Sequence, residues 1–182
     1  GVEARVLARS SAAAGSVPIL AGGGDPPPSG PVLGSGDRAL LVRSATGFRH
    51  LDPVDQLTME FAASYRHYCA CLMRTIAIGR ADERQRRMFE VTRDALRAMT
   101  EAARPGEPVG RIAEVFLERL DRAGFARQRF AACGYSLGAT FRPTWMDVPP
   151  MIHAGNRQPL LPGMTLFPHV MLGDMDAGIA AG

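Results

Sequence analysis

Glu60, Cys69 and Cys71 lie close together along the chain, inside two stretches rich in apolar and β-branched residues, 57–64 and 67–78. Such stretches read as strands, and Tyr65-Arg66 between them reads as the turn of a hairpin. That turn sets Glu60 opposite Cys71 and Ala62 opposite Cys69, with paired side chains about 4.5–5.5 Å apart at Cβ. Side chains alternate along a strand, so Glu60, Ala62, Cys69 and Cys71 share one face. Met59, Phe61, Ala70 and Leu72 share the other, which reads as core. Cysteines commonly pack as small hydrophobes, but a buried carboxylate needs a partner. Arg74 or a cationic ligand would serve Glu60.

Composition removes several other chemistries. The 21 residues counted as Lys plus Arg are all arginine. Without lysine the chain has no Schiff base, no anchor for pyridoxal phosphate and no Walker-type phosphate loop. The net charge of +3 gives no nucleic-acid surface, because Arg84, Arg86, Arg87, Arg93 and Arg97 are interleaved with Glu83, Glu90 and Asp94. No apolar run approaches the roughly 18–20 residues of a membrane span. Nor does GVEARVLARSSAAAG, broken by Glu3 and Arg5, read as a signal peptide. Cys69, Cys71 and Cys133 have no C-x-x-C spacing and are expected as free thiols, consistent with a cytoplasmic protein.

The elements that must hold these residues follow from periodicity. Residues 2–14 have helix-like composition. The breaker-rich passage 22–37 reads as an ordered loop around a short strand, edging a site. Met88, Val91, Ala95, Met99 and Ala102 recur at three-to-four spacing and predict a helix over 82–103, stopped by Pro105-Gly106. A second helix over 109–123 turns Ile112, Val115, Phe116 and Leu120 inward. Short strands return at 129–135, 165–172 and from 178 onward. At 182 residues the chain fits one domain, and the order predicts an α+β fold with helices packed over a mostly antiparallel sheet.

Three segments carry a family likeness. HYCACLMRTIAIG at 67–79 resembles GYCSDITRTVFVG of the pita-bread family, which includes methionine aminopeptidase, aminopeptidase P, prolidase and the metal-free creatinase. CGYSLG at 133–138 resembles its GHGIG, and LLPGMTLFPH at 160–169 resembles its L-x-PGMVFTIEP. The closing GIAAG corresponds to G-V-R-I-E. The likeness runs over the whole chain, as one domain over 1–182, and implies a piece of a longer protein.

The resemblance implies a metal centre and also its loss. Where the family carries Asp, Asp, His, Glu and Glu, this chain has Glu60, Cys71, Tyr135, His169 and Gly182. Two hard cations need bridging carboxylates, so no dinuclear metal site and no cofactor are expected; a single zinc on Glu60, Cys71 and His169 is the alternative. Two family histidines fall on Arg43 and Arg142.

The likeness is to the creatinase and ectoine hydrolase branch, and it implies a metal-independent hydrolase of a C–N bond in a small zwitterionic nitrogen compound. In that reading Glu60 is the acid or base, His169 moves protons and Tyr135 donates to an oxyanion. Arg43 and Arg142 bind a substrate carboxylate, and Cys71 and Trp145 line the substrate pocket. A homodimer is expected, with no nucleic-acid or membrane partner. The other implied functions are a non-catalytic binding domain and an Xaa-Pro aminopeptidase with a rebuilt metal site. His50, His67 and His153 are expected to be structural.

Overall fold

The computed structural model describes residues 22–41 and 49–182. The expected helix over 2–14 lies outside the described residues, as does Arg43. Strands β1 (Val32–Ser35), β2 (Asp55–Tyr65) and β3 (Tyr68–Ile78) form an antiparallel sheet in that order. β1 is the short strand expected within the glycine-rich passage, and a 3₁₀ turn over Gly36–Leu40 follows it. Helices α1 (Glu83–Ala102) and α2 (Gly110–Arg122) come next. β4 (Ala132–Leu137) then lies between β5 (Met151–His153) and β6 (Thr165–Pro168) in a second antiparallel sheet. β7 (Leu172–Asp174) and β8 (Ile179–Ala181) pair as a third. The α+β expectation holds, with the strand expected over 165–172 divided between β6 and β7.

The hairpin differs from expectation by one turn residue. Tyr65 pairs with Tyr68, and the turn is Arg66-His67, both left-handed at φ 49° and 68°. Glu60 therefore faces Met73, Ala62 faces Cys71 and Ser64 faces Cys69. The register moves by two residues, so the faces survive: Glu60, Cys69 and Cys71 still look the same way. Burial runs opposite to expectation. Gln56, Thr58, Glu60, Ala62 and Ser64 are buried, whereas Leu72 is 36% exposed and Ile76 44% exposed on the face expected as core.

The polar face can be buried because its groups are bonded. Gln56 Nε2 donates to the carbonyls of Gly36 and Gly178 at 3.0 and 2.7 Å, while its Oε1 accepts from Ala180 N–H at 2.8 Å. One side chain thus fastens β2 to the 3₁₀ turn and to β8. The Thr58 and Thr75 hydroxyls pair at 2.9 Å across the hairpin.

Helices α1 and α2 pack on the second sheet. Met88, Ala95 and Met99 from α1 meet Ile112, Phe116 and Leu120 from α2 over Cys133, Ile152 and Leu172. Helix α1 starts at Asp82, whose Oδ1 accepts from Gln85 N–H at 2.7 Å. Asp82→Ala should cost about 1 kcal/mol, the usual worth of an N-cap, as a lower urea midpoint with unchanged m-value.

Asp174 fixes the β7–β8 turn. It is 3% exposed, accepts from Ala177 N–H at 3.1 Å and from Arg84 Nε at 2.6 Å. Burial acts to raise its pKa, but the backbone donors and Arg84 outweigh that and hold it below the ordinary carboxylate value. A depressed folded pKa gives stability that is present above the unfolded value and lost as pH falls through the folded one. Asp174→Asn should flatten the fall in thermal midpoint below about pH 4 and leave that limb's remaining slope to other carboxylates.

Candidate functional site

β2, β4 and the loop after β4 converge on Glu60. Tyr135, on β4, donates from its hydroxyl to Glu60 Oε1 at 2.9 Å. Trp145, on the loop, donates from Nε1 to the Tyr135 hydroxyl at 2.8 Å. The three side chains are 3%, 2% and 1% exposed. Indole N–H can only donate, so the Tyr135 oxygen accepts from it and its one proton points at Glu60. The chain Trp145 to Tyr135 to Glu60 therefore has a fixed direction. Burial, with negative charge at Glu60 and Cys71, pushes the Tyr135 pKa well above the ordinary phenol value and keeps it a donor.

This geometry changes three expected roles. Tyr135 was expected to donate to an oxyanion, but its proton is committed to Glu60. Trp145 was expected to line the substrate pocket; it is buried and aims the Tyr135 proton. Arg74 was expected as the partner of Glu60; it points to the other face and donates from Nη1 to the Met73 carbonyl at 2.6 Å. Nothing near Glu60 in the sequence signals Trp145, 85 positions away; only the Pro-rich loop that carries it marks the segment.

Two glycines bracket Tyr135 and explain the motif around it. Gly134 has φ 143°, and a Cβ there would lie 2.4 Å from the Phe167 carbonyl oxygen. At Gly138 a Cβ would lie 2.2 Å from Asp147 Oδ2, where the loop toward Trp145 crosses β4. That loop is further held by Thr140, whose Oγ1 donates to the Trp145 carbonyl at 3.4 Å and contacts Cys69 Sγ at 3.3 Å. Cys69 is thus part of the loop's anchorage.

His169 follows β6 and its N–H donates to the Cys133 carbonyl at 3.0 Å. Its ring meets Tyr135 edge-on, with centroids 5.8 Å apart, and lies 5.5 Å from Phe167. Phe167, absent from the expected site, completes the triangle at 5.4 Å from Tyr135. Cys71 is half-buried on the Glu60 face. Arg142 is exposed on the loop before Trp145. His67 stacks on Phe141 at 4.4 Å at the hairpin tip, and His153 Nδ1 lies 2.8 Å from the Ala154 carbonyl, both outside the site. None of Cys69, Cys71 and Cys133 forms a disulfide, and burial pushes the Cys133 thiol up to about 12.

A metal pair does not fit these residues. Gly182 has no side chain, and its carbonyl accepts from Thr75 N–H at 2.8 Å. The Tyr135 oxygen already accepts from Trp145 while its proton is given to Glu60. Among the described residues no three His, Cys, Asp or Glu side chains converge into a metal-binding group. The remaining donors supply no bridging pair of carboxylates.

Comparison with known proteins agrees with the fold. The ectoine hydrolase of Halomonas elongata is 28% identical over 151 residues, covering 83% of this chain and 37% of that protein. The Xaa-Pro dipeptidase of Pyrococcus furiosus is 25% identical over 116 residues, covering 64% of this chain and 33% of that protein. Prolidase from Thermococcus sibiricus superposes with a TM-score of 0.77 at 19% identity, over 87% of this chain and 42% of its own. The fold is the pita-bread fold of the prolidases, and the chain spans about a third of the length of these curated relatives. The profile of metallopeptidase family M24 matches residues 4–180, and the chain belongs to that family.

Proposed function

We propose that the chain carries the site of a metal-independent hydrolase acting on a C–N bond of a small zwitterionic nitrogen compound. The observation that carries this reading is the directed hydrogen-bond chain ending on Glu60, which replaces the metal ligand set with an oriented carboxylate. Hydrolysis adds water across the C–N bond. Glu60 takes a proton from the water as its oxygen bonds to carbon, and the nitrogen leaves with a proton that His169 or Glu60 returns to it. Tyr135 and Trp145 act as positioning residues, holding the carboxylate in one orientation with no reorganisation during the reaction. A substrate bearing a cationic amidine would also supply the charge that a buried carboxylate seeks.

The test uses ectoine, a zwitterionic cyclic amidine, followed by proton NMR with the protein in excess chelator. Ring opening that continues in chelator and stops in Glu60→Gln supports the reading. Turnover of ectoine or of an Xaa-Pro dipeptide only after a divalent metal is added overturns it. A second reading, a non-catalytic binding domain, is favoured by the near-complete burial of Glu60 and Tyr135. Partner affinity that is unchanged in Glu60→Gln and His169→Ala, with no turnover in the parent, would select it.

A further inference from the structure

Glu60 ends a path of hydrogen bonds that starts on the same hairpin, at Cys69. The segment after β4 carries it from one to the other. Its near end is pinned to the tip of β3: Cys69 N–H donates to the Gly138 carbonyl at 3.4 Å and Thr140 N–H to the His67 carbonyl at 2.9 Å, with Tyr68 bridged to Ala139 between them. Its far end closes on β4, where Asp147 N–H donates to the Ser136 carbonyl at 3.0 Å. Cys69 pairs with Ser64, four residues from Glu60, so the path spans about 13 Å of the hairpin face at ~3.3 Å per residue.

Thr140 is the turning point of that path. It is 6% exposed, and its Oγ1 lies 3.4 Å from the Trp145 carbonyl oxygen and 3.3 Å from Cys69 Sγ. A carbonyl only accepts, so the single hydroxyl proton goes to Trp145 and the Cys69 thiol donates to Thr140. Among the described residues this is the one hydrogen bond that reaches the Trp145 main chain. The indole N–H continues in the same direction, to Tyr135 and from there to Glu60. At 3.4 Å the hydroxyl bond is also the longest link, where the path is most easily loosened. Valine would fill the same space, so shape does not call for a hydroxyl here; once buried, it is favourable only with its partners.

We propose that Thr140 is a positioning residue for the Glu60 carboxylate, acting through the main chain of Trp145, with the Cys69 thiol holding the Thr140 hydroxyl in place. The hydroxyl fixes where the indole N–H points, the indole fixes the Tyr135 proton, and that proton fixes one carboxylate oxygen. That the orientation serves hydrolysis rests on the reading given above; the linkage from Thr140 to Glu60 does not.

Trp145 is the sole tryptophan, so its indole N–H gives a single NMR signal whose hydrogen exchange reads the bond to Tyr135. Thr140→Val should speed that exchange by about five- to tenfold, the effect of one lost buried hydrogen bond on local opening, and Thr140→Ser should restore it. Thr92→Val is the control, because Thr92 is 4% exposed and donates to the Phe89 carbonyl at 2.8 Å within α1. It should leave the indole exchange within about twofold of the parent. The Glu60 carboxyl carbon signal, assigned by its loss in Glu60→Gln, should move in Thr140→Val in the same direction as in Trp145→Phe and stay in place in Thr92→Val. Unchanged indole exchange in Thr140→Val, equal acceleration in Thr92→Val, no rescue by serine, or an unmoved Glu60 signal each overturns the proposal. Both signals are read without turnover, so a silent ectoine assay and an undisturbed indole proton are separate failures.

Discussion

Tyr135→Phe is expected to destabilise the protein by about 3–5 kcal/mol, because one hydroxyl serves two buried partners at once. Its removal strands the Trp145 indole N–H, which is 1% exposed, at about 1–3 kcal/mol. It also takes from Glu60 a hydrogen bond to a charged group, worth about 1.5–3 kcal/mol. The ring itself remains, with its packing against Phe167 and His169, so little cavity is added. A native domain has roughly 5–15 kcal/mol in all, so the loss should appear as a large drop in urea midpoint at constant m-value. A drop equivalent to less than about 1 kcal/mol would mean that the three groups find other partners, and the directed chain would not describe the folded state. Trp145→Phe tests the other link and should be milder at the polar atoms, since the tyrosine oxygen it leaves still donates to Glu60.

How much of this was legible in the sequence depended on distance along the chain. The helices and the hairpin declare themselves through period and composition, and the motif spacings around Cys71 and Tyr135 place those residues on β3 and β4. The hairpin register was not legible, because a left-handed two-residue turn is ordinarily written with Asn, Asp or Gly. Arg66-His67 carries no such signature. The buried face was misread for another reason. Met59 and Phe61 look like core beside Gln56, Thr58 and Glu60, but the partners that let Gln56 and Glu60 be buried include Gly178, Ala180 and Tyr135, 75 or more positions away. Composition within a strand cannot show them. β5, three residues long, is too short to leave a period.

Glu60→Gln is expected to leave the protein folded and to lower turnover by about 10²–10⁴-fold, the range that a positioned acid–base group supplies. The amide keeps an oxygen to accept from Tyr135, so the direction of the hydrogen-bond chain survives while the exchangeable charge is gone. Glu60→Leu combined with Tyr135→Phe separates stability from chemistry more sharply. Replacing polar partners together by apolar groups is often nearly neutral, whereas removing one alone leaves its partner buried and unsatisfied. The double variant should therefore recover part of the urea midpoint lost in Tyr135→Phe and still be inactive towards ectoine. A Glu60→Gln protein that keeps its rate within about threefold would fall outside the acid–base range and move Glu60 from the reaction to the scaffold. The same buried carboxylate would then be what holds β2 against β4, and the hairpin's polar face would have a structural rather than a chemical reason for being inside.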